Sequence, residues 1–134
     1  MNHLLALLGY IVASFVTQAL SHFVLFKAHY DAVPWIKTDP VFAFGITSMI
    51  VQGLILSYVY SKSAFRTGNL FDAVKLSWLF GAFLVSYIAL GEAAKYAVPD
   101  MASWIGVEIL AGAVQYTLAG FFLAFAHRGA LQPA

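Results

Sequence analysis

The sequence predicts an all-α fold, an integral membrane antiparallel four-helix bundle, and three observations carry that prediction. Hydrophobic residues make up 62% of the 134 and charged residues only 10%, whereas soluble domains hold about 45–50% apolar and about 25% charged residues. Four apolar runs, at about 3–27, 41–60, 70–97 and 102–126, each reach the ~20 residues that a helix needs to cross a hydrocarbon core of ~30 Å. None of them alternates with the period of two that a membrane barrel strand requires. Helices, which satisfy their backbone polar groups internally, are the structure that remains. The chain, 1–134, is therefore expected to form a single domain of four spans.

The first run lacks the Lys/Arg-rich start, short apolar core and small-residue cleavage site of a signal peptide, so it is expected to stay as a membrane helix. The Met-Asn start and the absence of cysteine leave no lipidation box. The loop after it, with Tyr30, Trp35, Lys37 and Asp39, has the aromatic and charged mix of a membrane interface. Asp39-Pro40 offers the second helix an N-cap acceptor and a proline at its first position. Asn69 and Asp72 resemble a capping box opening the third helix. Pro99-Asp100 is expected to end the third helix and start the fourth, across a connection so short that the two must be antiparallel neighbours. Residues 129–134 read as a loose tail.

Composition also excludes whole classes of function. Without cysteine there are no disulfides, thiolate metal sites or thiol nucleophiles. A net charge of +1 without a polybasic run argues against nucleic acid and against a headgroup-driven electrostatic switch. Lys62, Arg66, Lys75 and Arg128 lie toward the end that holds both termini, and Lys27, Lys37 and Lys95 lie toward the other. The positive-inside rule then puts the termini in the cytoplasm, as in a multi-pass protein of a bacterial inner membrane. Most acids, including Glu92 and Glu108, fall toward the opposite end.

Each span carries a polar stripe at helical spacing. These are Ser14, Gln18, His22 and His29; Gly45, Ser48 and Gln52; Ser77, Gly81 and Glu92 with Lys95 or Tyr96; and Glu108, Gly112, Gln115 and Ala119. Lipid tails reject such groups, so the stripes are expected to face inward. Charged residues are the most demanding, costing about 2.5–3.5 kcal/mol each at a helix centre, and so mark a candidate site. Counting along each run at the helical rise places His22, Glu92 and Glu108 level with one another, roughly 8–12 Å below one surface. Gln18, Gln52 and Gln115 form a deeper polar layer.

Three readings fit this cluster. In a structural one, Glu92 pairs with Lys95, Glu108 bonds to a neighbouring helix and His22 donates to a carbonyl. In a second, a divalent metal is held by His22, Glu92 and Glu108, with His29 as a further ligand, although no Glu-x-x-His or His-x-x-x-His spacing is present. In a third, His22, Lys95, Gln18, Gln52 and Gln115 bind a small apolar ligand. Glu92 or Glu108 would then be the catalytic proton carrier if that ligand is a substrate. Tyr87, Trp104, Tyr96, Phe44 and Trp78 are candidate walls. The expected partners are membrane lipids, the apolar ligand, and a larger membrane complex or a second copy, to which the chain would be an accessory subunit. His3, His127 and Arg128 read as interface anchors, and Gly106, Gly112 and Gly120 as a packing groove.

Overall fold

The computed structural model describes residues 2–34, 36–37 and 39–128, and all regular structure among them is helical. Helix α1 covers Asn2–Leu20 and runs on through a π-helical turn at Ser21–Leu25. A short α2 (Lys27–Asp31) precedes α3 (Phe42–Lys62). Helix α4 spans Leu70–Ser86 and continues through a second π turn at Tyr87–Glu92, and α5 covers Met101–His127. The four segments Asn2–Leu25, Phe42–Lys62, Leu70–Glu92 and Met101–His127 are long and apolar enough to cross a membrane. Trp35 of the expected interface loop and the expected tail at 129–134 lie outside the described residues.

Boundaries follow local chemistry, with three departures from expectation. Asn69 caps α4, its Oδ1 accepting from the Phe71 N–H at 2.9 Å, and Asp100 caps α5 by accepting from the Ala102 N–H at 3.1 Å. Asp72 does not complete a capping box. It accepts from Thr67 Oγ1 at 2.7 Å and from Lys75 Nζ at 3.1 Å, while Thr67 Oγ1 takes the Asn69 N–H. Nor does Asp39-Pro40 open α3, whose N-cap is Val41. The third span stops at Glu92 instead of running to residue 97, so Lys95 and Tyr96 sit in a turn and not on the helix.

Helix α5 is the axis of the assembly, packed along α4 on one side and α1 on the other, and α1 in turn carries α3. Paired residues give the directions. His3, Tyr10 and Gln18 of α1 meet His127, Tyr116 and Gln115 of α5, so contacts advance along one helix as they retreat along the other. Close approach depends on missing side chains. A Cβ on Gly120 would fall 2.7 Å from the Val74 Cα, so α4 and α5 touch backbone to backbone there. Gly112 is similarly crowded by Val85, whereas Gly106 has nothing nearby and plays no part in the expected groove. Phe44 and Phe83, 77% and 83% exposed, typify an outer surface rich in large apolar side chains.

The interior has two apolar clusters. The larger joins Ala6, Tyr10, Leu56, Tyr60, Leu76 and Leu123 across the four spans, and the smaller gathers Tyr30, Val33, Ala93, Trp104 and Val107 under the first and third loops. Between them lies the polar layer.

Candidate functional site

Tyr10, Ser14 and Gln18 share one face of α1 because they are four residues apart. That face meets Gln115 of α5. Gln18 Nε2 donates to Gln115 Oε1 at 2.8 Å, and Gln115 Nε2 donates to Ser14 Oγ at 3.0 Å. The Tyr10 hydroxyl donates to Gln52 Oε1 at 2.6 Å and lies 3.2 Å from the Tyr116 hydroxyl, while Gln52 Nε2 donates to Ser48 Oγ at 2.8 Å. One network thus ties α1, α3 and α5 together in a region where an unpaired amide would be costly.

Glu108 stands closer to the loops and is 7% exposed. The Tyr30 hydroxyl donates to Glu108 Oε1 at 2.8 Å and lies 3.3 Å from Ser21 Oγ. Burial pushes the Tyr30 phenol above its ordinary range, so it remains a proton donor at any physiological pH. The His22 ring stacks on Tyr30 at a centroid distance of 3.6 Å. Trp104 closes the same corner, its indole N–H donating at 3.2 Å to the carbonyl of Ile88 inside the second π turn. His29 Nδ1 lies 3.3 Å from Ser103 Oγ, and its Nε2 is buried with no partner among the described residues.

A cavity of about 200 Å³ lies between the four long helices, with Gln18, Ser48, Gln52, Glu108 and Gln115 on its walls. Tyr116 also lines it, and past the Tyr10–Tyr116 pair the spans close in a layer containing Ala6, Leu56, Tyr60 and Leu123. The chain matches no protein-family model, no curated protein and no solved structure.

The site residues expected from the sequence divide into two groups. Gln18, Gln52, Gln115 and Glu108 share the cavity. His22 faces outward instead, lining three hollows beside the first loop. It meets Gln18 in the deepest of these, and of the two only Gln18 also reaches the cavity. Glu92 ends the other π turn, half-buried and away from the cavity lining. Its expected pairing with Lys95 is not among the ion pairs of the described residues, which are Lys27–Asp31 and Lys75–Asp72. Lys95 instead reaches back to Tyr87, with Nζ 3.2 Å from the hydroxyl and 4.9 Å from the ring centre. Among the described residues no three His, Asp or Glu side chains are grouped as a metal would need. The aromatic walls also differ, since Phe44, Trp78, Tyr87 and Tyr96 are exposed and only Trp104 is buried.

Sequence reasoning missed Tyr10, Tyr116 and the role of Tyr30. Tyr10 was detectable, lying four residues before Ser14 on the same stripe. Tyr30 was not, because nothing in a loop sequence says which loop residue folds back beneath a span. At the far end, His3 and His127 are not separate anchors. His3 Nδ1 and His127 Nε2 lie 2.8 Å and 3.1 Å from Ser57 Oγ, joining the start of α1, the end of α3 and the end of α5.

Proposed function

We propose that this chain is a multi-pass membrane protein, an antiparallel bundle of four spans, which binds one small lipid-soluble molecule in the cavity between them. The observation that carries the reading is the cavity wall: a carboxyl group and three glutamines facing one space inside a molecule whose outside is apolar. Polar groups at such depth are retained where they serve a ligand or one another. Here each of the four makes a side-chain hydrogen bond and also lines open volume. Mostly pre-formed apolar pockets with a few convergent polar groups are the usual form of a small-molecule site. At about 200 Å³ the space suits a single ring or a short chain, with a head that both donates and accepts hydrogen bonds. The apolar layer beyond Tyr10 and Tyr116 favours binding over conduction through the bundle.

An organic ligand fits better than a divalent metal at His22, Glu92 and Glu108, because Tyr30 occupies both the His22 ring and a Glu108 oxygen. Glu108 on the wall, with Tyr30 donating to one oxygen, also favours it over Glu92 as a proton carrier should the bound molecule be a substrate. By the charge argument made from the sequence, the termini face the cytoplasm.

Gly45 gives the test. It lines both the cavity and the outer hollow beside it, and a Cβ there would meet nothing within 4 Å, so Gly45→Phe narrows the opening the two share without disturbing packing. Native mass spectrometry of detergent-purified protein is expected to show a bound molecule lighter than a phospholipid that Gly45→Phe lacks. Identical spectra from the two proteins, at unchanged helicity, would refute the reading.

A further inference from the structure

Beside the first loop, on the outside of α1 and α3, three hollows run into one another. The one nearest the loop, of about 480 Å³, is lined by His22, Lys27, Tyr30, Asp31 and Lys37 with apolar neighbours. The next shares His22, Phe23, Ile36 and Lys37 with it and adds Val41 and Phe44. The deepest shares His22, Phe23 and Pro40 and continues along Phe15, Ile46 and Met49. The groove therefore grades from charged to mostly apolar as it leaves the loop, with Gln18 and His22 the polar residues of its deepest part. From Lys27 to Phe15 it runs twelve residue steps, from the start of α2 through the π turn into α1, at most about 18 Å at the helical rise, close to the half-thickness of a ~30 Å hydrocarbon core.

We propose that this groove seats an anionic phospholipid, with its phosphodiester at Lys27 and Lys37 and one acyl chain along Phe23, Val41 and Phe44 toward Met49. The order of polarity matches that of a lipid standing in its leaflet. Charge matches as well: two lysines and one aspartate line the outer hollow, which leaves one net positive charge for a phosphodiester carrying one negative charge. Lys27 is paired with Asp31, whereas no ion pair of Lys37 appears among the described residues. Lys37 is thus the principal anchor. Basic pockets beside membrane helices are a recurrent means of holding anionic headgroups, and long lysine stems reach the headgroup level while their methylenes lie on apolar surface. This recognition depends on a shaped hollow and needs no polybasic run. The groove's deepest hollow shares Gln18, Gly45 and Met49 with the inner cavity, whereas the headgroup end at Lys27 and Lys37 shares no lining residue with it.

The test titrates the full chain in detergent with dioleoyl phosphatidylglycerol and, separately, with dioleoyl phosphatidylcholine, reading bound lipid by native mass spectrometry. Both lipids carry the same chains, so any preference reports the headgroup. Phosphatidylglycerol is expected to bind more tightly, and Lys37→Gln to weaken it about fivefold. Lys75→Gln, at the other end of the molecule and already paired with Asp72, is expected to leave it unchanged. Equal binding of the two lipids by the unmodified chain overturns the proposal whatever the variants do. So does a Lys75→Gln loss equal to that of Lys37→Gln, which would report bulk charge. Displacement of the lipid by millimolar inorganic phosphate would show a site for the free anion and overturn the assignment to lipid.

Discussion

Tyr30 and Glu108 form the contact on which the loop end of the molecule turns. The phenol is buried and donates to a carboxyl that is itself buried, so neither group can exchange its partner for water. Tyr30→Phe removes the donor and leaves the carboxyl behind, which is expected to cost about 1–3 kcal/mol, read as a lower midpoint of unfolding in mixed detergent. Adding Glu108→Leu should restore part of that loss, because removing both partners is cheaper than stranding one. A double variant no more stable than Tyr30→Phe alone would mean that the hydrogen bond contributes little. Gln115 is the corresponding hub of the deeper layer, donating to Ser14 and accepting from Gln18. Its position was legible in the sequence, since glutamines at helical spacing in an apolar run have nowhere else to go. Tyr30 was not legible, because its partner comes from a span 78 residues away.

At the scale of elements, two π turns interrupt the α-helical winding that the sequence reading assumes. Existence and approximate extent of the spans can be read from hydropathy and length, but phase cannot, since one added residue per turn is invisible to a 3.6-residue pattern. Both π turns lie beside the Tyr30–Glu108–Trp104 corner. Ser21 in the first approaches the Tyr30 hydroxyl, and Ile88 in the second gives its carbonyl to Trp104. Deleting Val24 from the turn at Ser21–Leu25 should restore α-helical winding and rotate the residues after it by about 100°, which carries Tyr30 off Glu108. The unfolding midpoint is then expected to fall, and Tyr30→Phe in the deletion background to have no further effect. An additive loss would show that the bond survives without the π turn. Glycines make the matching point about helix contacts. Gly120→Ala drives a methyl group into the Val74 backbone and is expected to destabilise by about 1–3 kcal/mol. Gly106→Ala enters open space and should stabilise by up to about 1 kcal/mol through helix propensity, with thermal unfolding of the pair as the measurement.

For the molecule as a whole, the decisive property is an inverted arrangement, apolar outside and polar at a chosen depth inside. Composition revealed the first half of it. The second half needed the pairing of α1 with α5, which fixes which stripes face each other and leaves His22 and Glu92 out of the cavity. If the four apolar helices do cross a bilayer, the ends joined by His3, Ser57 and His127 lie on one side and the turn after Glu92 on the other. The chain has no cysteine, so single reporters can be introduced without background. Ser63→Cys, just past α3, and Ala97→Cys, between α4 and α5, should label oppositely with a membrane-impermeant maleimide. With cytoplasmic termini, residue 97 is labelled in intact cells and residue 63 only after the membrane is opened. Reversed labelling would invert the orientation and keep the spans. Labelling of both positions in intact cells, or protection of both, would mean that α4 does not cross, and the cavity would then have to be understood in a molecule lying on or within one leaflet.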